Sequence, residues 1–326
     1  MTQGQGRRAV LGAIMCMATG PAIRAQAPAF PSRPIRIIPF GTAGGPIETL
    51  ARAYGERMTQ RWGQPVIIEA KPGASGILAA DAVAKAAPDG HTIMFTLPLT
   101  HINNAVLHAR LPYDPVRDFE PLSQLGVGSP LLLARASAPY SDLREFIAHA
   151  KAHPGVSYGT WGIGSGAHLY GELLKRQAAI NLLHVPYRSE ALAFNDLHGN
   201  VLEISWANPG SARAQLQAGK VKILAVAGAR RMSFFPGVPT FAEQGLAGFE
   251  VDSWIGAYAP VRTPAAVLDQ LVAGLREITQ APEIRTRLLN LGFEPLGNGP
   301  KEFIASYRAD YPRLAELIRA AGVTAE

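Results

Sequence analysis

The sequence is nearly free of cysteine. Cys16 is the only one in 326 residues, which excludes an intrachain disulfide framework, a thiolate metal site built by the chain alone and, outside the N-terminal stretch, a cysteine nucleophile. Histidine spacing offers no zinc motif either. His149 and His153 are four apart, but Ala150 follows where His-Glu-x-x-His needs the acid. Basic residues are scattered rather than clustered, so nucleic acid is not an expected partner. Beyond the N-terminus no apolar run approaches the about 20 residues that span a bilayer. No Gly-x-Ser-x-Gly element is present: around Ser165 the flanking positions are Ile163 and Ala167. These gaps leave a chain that is 48% hydrophobic and must rely on its core.

The N-terminus does not belong to that core. Arg7 and Arg8 precede a short apolar run, and small residues follow, the layout of a secretory signal peptide. Ile23 and Ala25 suit the −3 and −1 positions, so residues 1–25 are expected to leave on export. The arginine pair also admits twin-arginine export. Three arginines leave with the peptide, so 28 basic residues then face 25 acidic ones, a net of +3.

Strand and helix patterns alternate from residue 35 onward, which argues an α/β fold with mostly parallel sheets. The spacing predicts strands at 35–40, 65–70 and 91–97 with helices at 46–62 and 77–87. A second series of strands falls at 131–135, 156–160, 181–187, 201–207 and 221–227, with helices at 142–152, 169–177, 190–197 and 211–217. Three helices close the chain at 264–279, 282–291 and 301–321. They have no strands of their own, so they should return to the first half. Two crossings, near 119–133 and 249–260, would then make a hinged clamshell, with residues 33–125 plus 255–326 in lobe I and 126–254 in lobe II.

Two strand–glycine loop–helix units stand out. The first loop is Gly41, Thr42, Ala43, Gly44 and Gly45, following Phe40. The second runs from Gly159 through Trp161, Gly162, Gly164, Ser165 and Gly166 to His168. Helix N-termini carry unpaired N–H groups and partial positive charge, and glycines let a ligand reach them. The first loop alone is equally a plain turn; it has neither the dinucleotide glycine pattern nor a P-loop lysine. Trp161 reads as a lid over an apolar ligand or as core packing. His168 reads as a first-turn residue that fixes its loop, and with Ser165 as a weak hydrolase pair. A third stretch, His184 to Ala191, ends a strand at Pro186 and presents Tyr187 and Arg188. Arg188 is either a bidentate carboxylate clamp or an ordinary solvated charge.

Taken in order, "PSRPIRIIPFGTAGGPIETLAR", "QPVIIEAKPGASGILAADAVAKAAPDGHTIMF", "YDPVRDFEPLSQLG", "GTWGIGSGAHLYGELLK", "LLHVPYRSEALAFNDLHGNV" and "ILAVAGARRMSFFPGVPTFAEQGL" resemble the Bug family. These are the TctC-like periplasmic substrate-binding proteins of tripartite tricarboxylate transporters. The resemblance spans essentially the whole mature chain. It implies a two-lobed Venus-flytrap (type II periplasmic binding protein-like) fold, no enzymatic activity and no cofactor or metal. It also implies a small carboxylate ligand, membrane transporter subunits as partners, and a monomer. The ligand carboxylate would lie between the two glycine loops, on Phe40, Thr42, Ala43, Gly44, Gly45, Ser165, Gly166, His168 and Tyr187, with Trp161 and Arg188 nearby. Where the family tends to have Thr-Asp after the first loop, Ile47 and Glu48 stand, and Glu48 could still cap the helix. Where it tends to have Gly after Pro-Tyr-Arg, Ser189 and Glu190 stand. Trp161 points toward an aromatic or apolar acid, Glu190 toward an ammonium group and hence an amino acid. A role as solute sensor, presenting the loaded form to a membrane receptor, fits the same fold.

Overall fold

The computed structural model describes residues 30–322; the expected signal peptide, with Cys16, lies outside them. The elements run β1 (Ile35–Pro39), α1 (Pro46–Trp62), β2 (Val66–Ile68), α2 (Ile77–Ala84), β3 (Thr92–Thr96), α3 (Asn104–Leu107), β4 (Phe119–Gly128), β5 (Leu131–Arg135) and α4 (Leu143–Ala152). They continue with β6 (Val156–Thr160), α5 (Gly166–Ala178), β7 (Leu182–Pro186), α6 (Glu190–His198), β8 (Ile204–Ala207), α7 (Pro209–Gln217) and β9 (Val221–Val226). The chain closes with β10 (Ser253–Pro260), α8 (Ala265–Gln280), α9 (Pro282–Asn290), β11 (Glu294–Pro295) and α10 (Pro300–Ala320). A π-helical turn, Leu99–Asn103, leads into α3.

Local chemistry accounts for the boundaries. Helix α1 starts on Pro46, which has no N–H to leave unpaired, and stops at Gly63 in the left-handed region. Leu50, Tyr54 and Met58, spaced by four, are fully buried along one face, each worth about 1.5–3 kcal/mol in burial. The Tyr54 hydroxyl meets Thr279 Oγ1 at 2.7 Å, tying α1 to α8. Helix α4 starts on Asp142, whose carboxylate accepts the Glu145 N–H, while the Glu145 carboxylate accepts that of Ser141.

The strands form two sheets. The first, ordered β11-β4-β10-β3-β1-β2, and the second, ordered β7-β6-β8-β5-β9, are the cores of a two-lobed α/β fold. Each is parallel on one side only: β3, β1 and β2 in the first, β7, β6 and β8 in the second. The remaining pairings are antiparallel, a correction to the expectation of mostly parallel sheets. The crossing segments are the cause. They are not bare connectors: β4 leaves the first sheet and β10 returns to it, and an outgoing strand beside a returning one is necessarily antiparallel.

At the crossings the Ser129 hydroxyl donates to the Asp252 carboxylate, and a Cβ on Gly228 would lie 2.3 Å from Ser129 Oγ. Helix α10 packs on β4 and also on α5, so one buried apolar cluster, including Met94, Tyr158, Trp254 and Phe303, runs through both lobes. Among the described residues no helix is long and apolar enough to cross a membrane.

Candidate functional site

Strand β1 delivers the first glycine loop. The Phe40 N–H is held by Phe95 O, and the loop then turns through Gly41 and Gly44, both at positive φ, where other residues would be strained. The Gly45 N–H closes the turn on Thr42 O at 3.0 Å. No side chain caps α1. Glu48 is buried, accepts the Gly44 N–H at 3.3 Å and pairs with Arg52. Glu48 thus braces the loop at Gly44, one residue before the N-cap, rather than capping the helix. Thr42, Ala43 and Gly44 stand exposed.

Strand β6 delivers the second loop. Ser165 is the N-cap of α5: its hydroxyl accepts the His168 N–H at 3.3 Å and donates to Gly162 O at 2.7 Å. The His168 imidazole accepts the Gly164 N–H at Nδ1, 3.2 Å, which fixes the loop from behind. The His168 ring stacks on His184, centroids 3.9 Å apart, and His184 Nε2 meets Thr160 Oγ1 at 2.7 Å. Burial holds the His168 pKa below the usual value. It drives that of His184 down to about 4, with repulsion from His168 adding to the effect. Both rings are therefore neutral struts at neutral pH. A Cβ placed on Gly41, Gly44, Gly162 or Gly166 meets nothing within 4 Å, so both loops border open space.

This geometry does not support the hydrolase reading: the Ser165 hydroxyl is bonded to Gly162 O and the His168 N–H, and His168 Nδ1 accepts the Gly164 N–H. The ammonium role of Glu190 is likewise corrected. Its Oε1 accepts the Asn208 N–H at 3.2 Å and the Asn208 side-chain amide, and its Oε2 accepts the Ser211 hydroxyl. Tyr187 donates its hydroxyl to Asp196 at 2.6 Å within its own lobe. Arg188 is exposed. Trp161 is half-buried against the central apolar cluster.

Residues absent from the sequence reading complete the edge of the first lobe. Asn103, at the end of the π-helical turn after β3, is buried and donates its side-chain amide to Gly164 O at 3.3 Å. This bond brings the first lobe onto the second loop. Asn103 Oδ1 has no partner among the described residues. Beside it, a Cβ on Gly76 would strike the Phe40 ring at 2.6 Å and Thr100 Cγ2 at 2.7 Å, so the loop after β2 also packs into this edge. The signal was available: β1, β2 and β3 are parallel, and the loops after parallel strands gather on one side. A cavity of about 1070 Å³ lies elsewhere, lined by residues 105–121, Tyr258, Val261 and α10.

The family described as the tripartite tricarboxylate transporter family receptor, TctC, matches residues 50–323. The chain belongs to the TctC family. It is 34% identical over 317 residues, 96% of this chain and 94% of the relative, to a UPF0065 protein from the tcbD-tcbE intergenic region of Pseudomonas sp. strain P51. The periplasmic binding protein BugD superposes with a TM-score of 0.77 at 33% identity, covering 91% of this chain and 100% of BugD. MatC from Rhodopseudomonas palustris, solved with bound malate, gives 0.74 at 33% identity, covering 89% and 100%. Rpa4515 of R. palustris, solved with adipate, gives 0.80 at 29% identity, covering 90% and 99%. TctC proteins of this kind are binding proteins rather than enzymes.

Proposed function

We propose that this TctC protein is a periplasmic solute-binding protein. It takes up a small carboxylate between lobe I (33–125 with 255–326) and lobe II (126–254) and delivers it to the membrane subunits of a tripartite tricarboxylate-type transporter. The observation that carries the reading is the pair of glycine loops at the starts of α1 and α5, with Asn103 bonded across to the second of them. A carboxylate placed there meets backbone N–H groups and two positive helix ends, so no cationic side chain is needed. Thr42, Ala43, Gly44 and Gly45 would supply one jaw and Ser165 and Gly166 the other, with Phe40 behind the first. His168 supports the second loop from its far side. Related proteins solved with malate and adipate support the same ligand class.

Thermal unfolding of the mature chain against a panel of carboxylates tests this. A ligand at about 100 times its Kd adds roughly 2.7 kcal/mol, a shift of several degrees at about 2–4 °C per kcal/mol. Ala43→Pro, which removes a loop N–H not bonded to another group of the loop, and Ser165→Ala should each lower affinity at least tenfold. Unchanged affinity in both variants would overturn the two-jaw site.

A further inference from the structure

We propose that Glu190 makes this site selective for monocarboxylates with an apolar body, by filling from within the chain the second anion position of lobe II. The inference rests on the carboxylate-binding reading above. Strands β7, β6 and β8 run parallel, with β6 in the middle. Their C-terminal ends, and the starts of α6, α5 and α7, therefore share one edge of the sheet. Any side chain joining the end of β7 to the end of β8 must cross the end of β6, where the second glycine loop begins.

Glu190, the first residue of α6, does this. Asn208 is the N-cap of α7, and Pro209 after it brings no N–H. Three donors there, the Asn208 N–H, the Asn208 amide and the Ser211 hydroxyl, are held by the Glu190 carboxylate, which leaves the backbone N–H groups of Gly210 and Ser211. A diacid whose first carboxylate sits on the starts of α1 and α5 meets the Glu190 carboxylate at the start of α7. Glu48 has the same effect in the first lobe, where it takes the Gly44 N–H. Arg188, on this edge, is solvated, where an ion pair gains little.

Apolar groups occupy the same edge. Ile163 in the second loop is 53% exposed, Leu192 in the first turn of α6 is 47% exposed, and Leu78 in the first turn of α2 is 53% exposed. Helix α2 follows β2, which is parallel to β1, so its start stands beside the first glycine loop. These side chains would cover an apolar ligand body and gain from leaving water.

Isothermal titration with length-matched acids tests the proposal: hexanoate against adipate, and benzoate against terephthalate. The wild-type chain should bind each monoacid at least tenfold tighter than its diacid. In Glu190→Ser, which frees donors at α7, that ratio should fall severalfold through tighter diacid binding. Equal or tighter diacid binding by the wild type would overturn the proposal without any variant. So would a preference unchanged in Glu190→Ser. A diacid preference abolished by Arg188→Ala would place the second carboxylate on Arg188 instead. If neither acid of either pair binds, the carboxylate reading itself fails.

Discussion

Ser165 shows how much one oxygen can hold. It caps α5 through the His168 N–H and pins Gly162 O across the loop. Ser165→Ala should cost about 1 kcal/mol as a lost cap and lower the melting temperature by a few degrees, apart from its effect on affinity. Ser165→Thr should restore most of that stability, because the hydroxyl is retained. A urea titration of the three proteins checks both statements. Ser165 stands out in the sequence as a loop hydroxyl, but the helix expected from 169 hides its N-cap role. The partners of Asn103 and Glu190 were not legible there. Asn103 finds Gly164 61 residues later and Glu190 finds Asn208 18 residues later, and no local periodicity encodes such meetings.

At the scale of elements, β6, β7 and α5 form a unit braced by the stacked pair His168 and His184. Burial depresses both imidazoles, so the folded chain keeps them neutral while the unfolded chain takes up a proton near pH 6.5. Their stabilisation is present above pH 6.5 and is lost as pH falls toward about 4. The urea midpoint should therefore drop over that window, and less steeply in His184→Gln. His101, fully buried and stacked on Tyr258, has its pKa lowered by burial to about 3 and acts in the same direction.

Helix α10 carries a group of the opposite sign. Burial, with the Asp252 carboxylate nearby, raises Asp310 to about 6. Its favourable contribution is present below the unfolded carboxylate range and lost as pH rises through 6. Asp310→Asn should raise the melting temperature at pH 8 and leave it nearly unchanged at pH 4. The elements themselves were largely legible, since α1, β5 and β6 begin and end where apolar periodicity and glycine or proline signals place them. The crossing strands β4 and β10 were missed as sheet members. Their composition, with Pro121 and several glycines, resembles a linker, and only their pairing makes them strands.

For the whole molecule, the lobes meet at more than the two crossings. A Cβ on Gly210 in α7 would lie 2.0 Å from Asn290 O in α9, a backbone-to-backbone approach between an element of the second sheet's lobe and one of the first. Gly210→Ala cannot be absorbed by a rotamer change. It should cost roughly 1–3 kcal/mol, as overpacking does, and increase the radius of gyration measured by small-angle scattering. An unchanged radius with full stability would show that the contact yields freely.

The crossings also set an order in time. The second sheet is finished once β9 emerges at residue 226, because β5 through β9 are consecutive in the chain. The first sheet begins earlier but ends later. Strand β3 has its neighbour β10 only after residue 253, and β4 gains both its neighbours only when β10 and β11 arrive. During synthesis the lobe that starts first is thus completed last, and it keeps an unpaired strand edge until the last quarter of the polypeptide appears. A chain arranged this way cannot close its first lobe while it is being synthesised, so that lobe's folding waits for the C-terminal quarter.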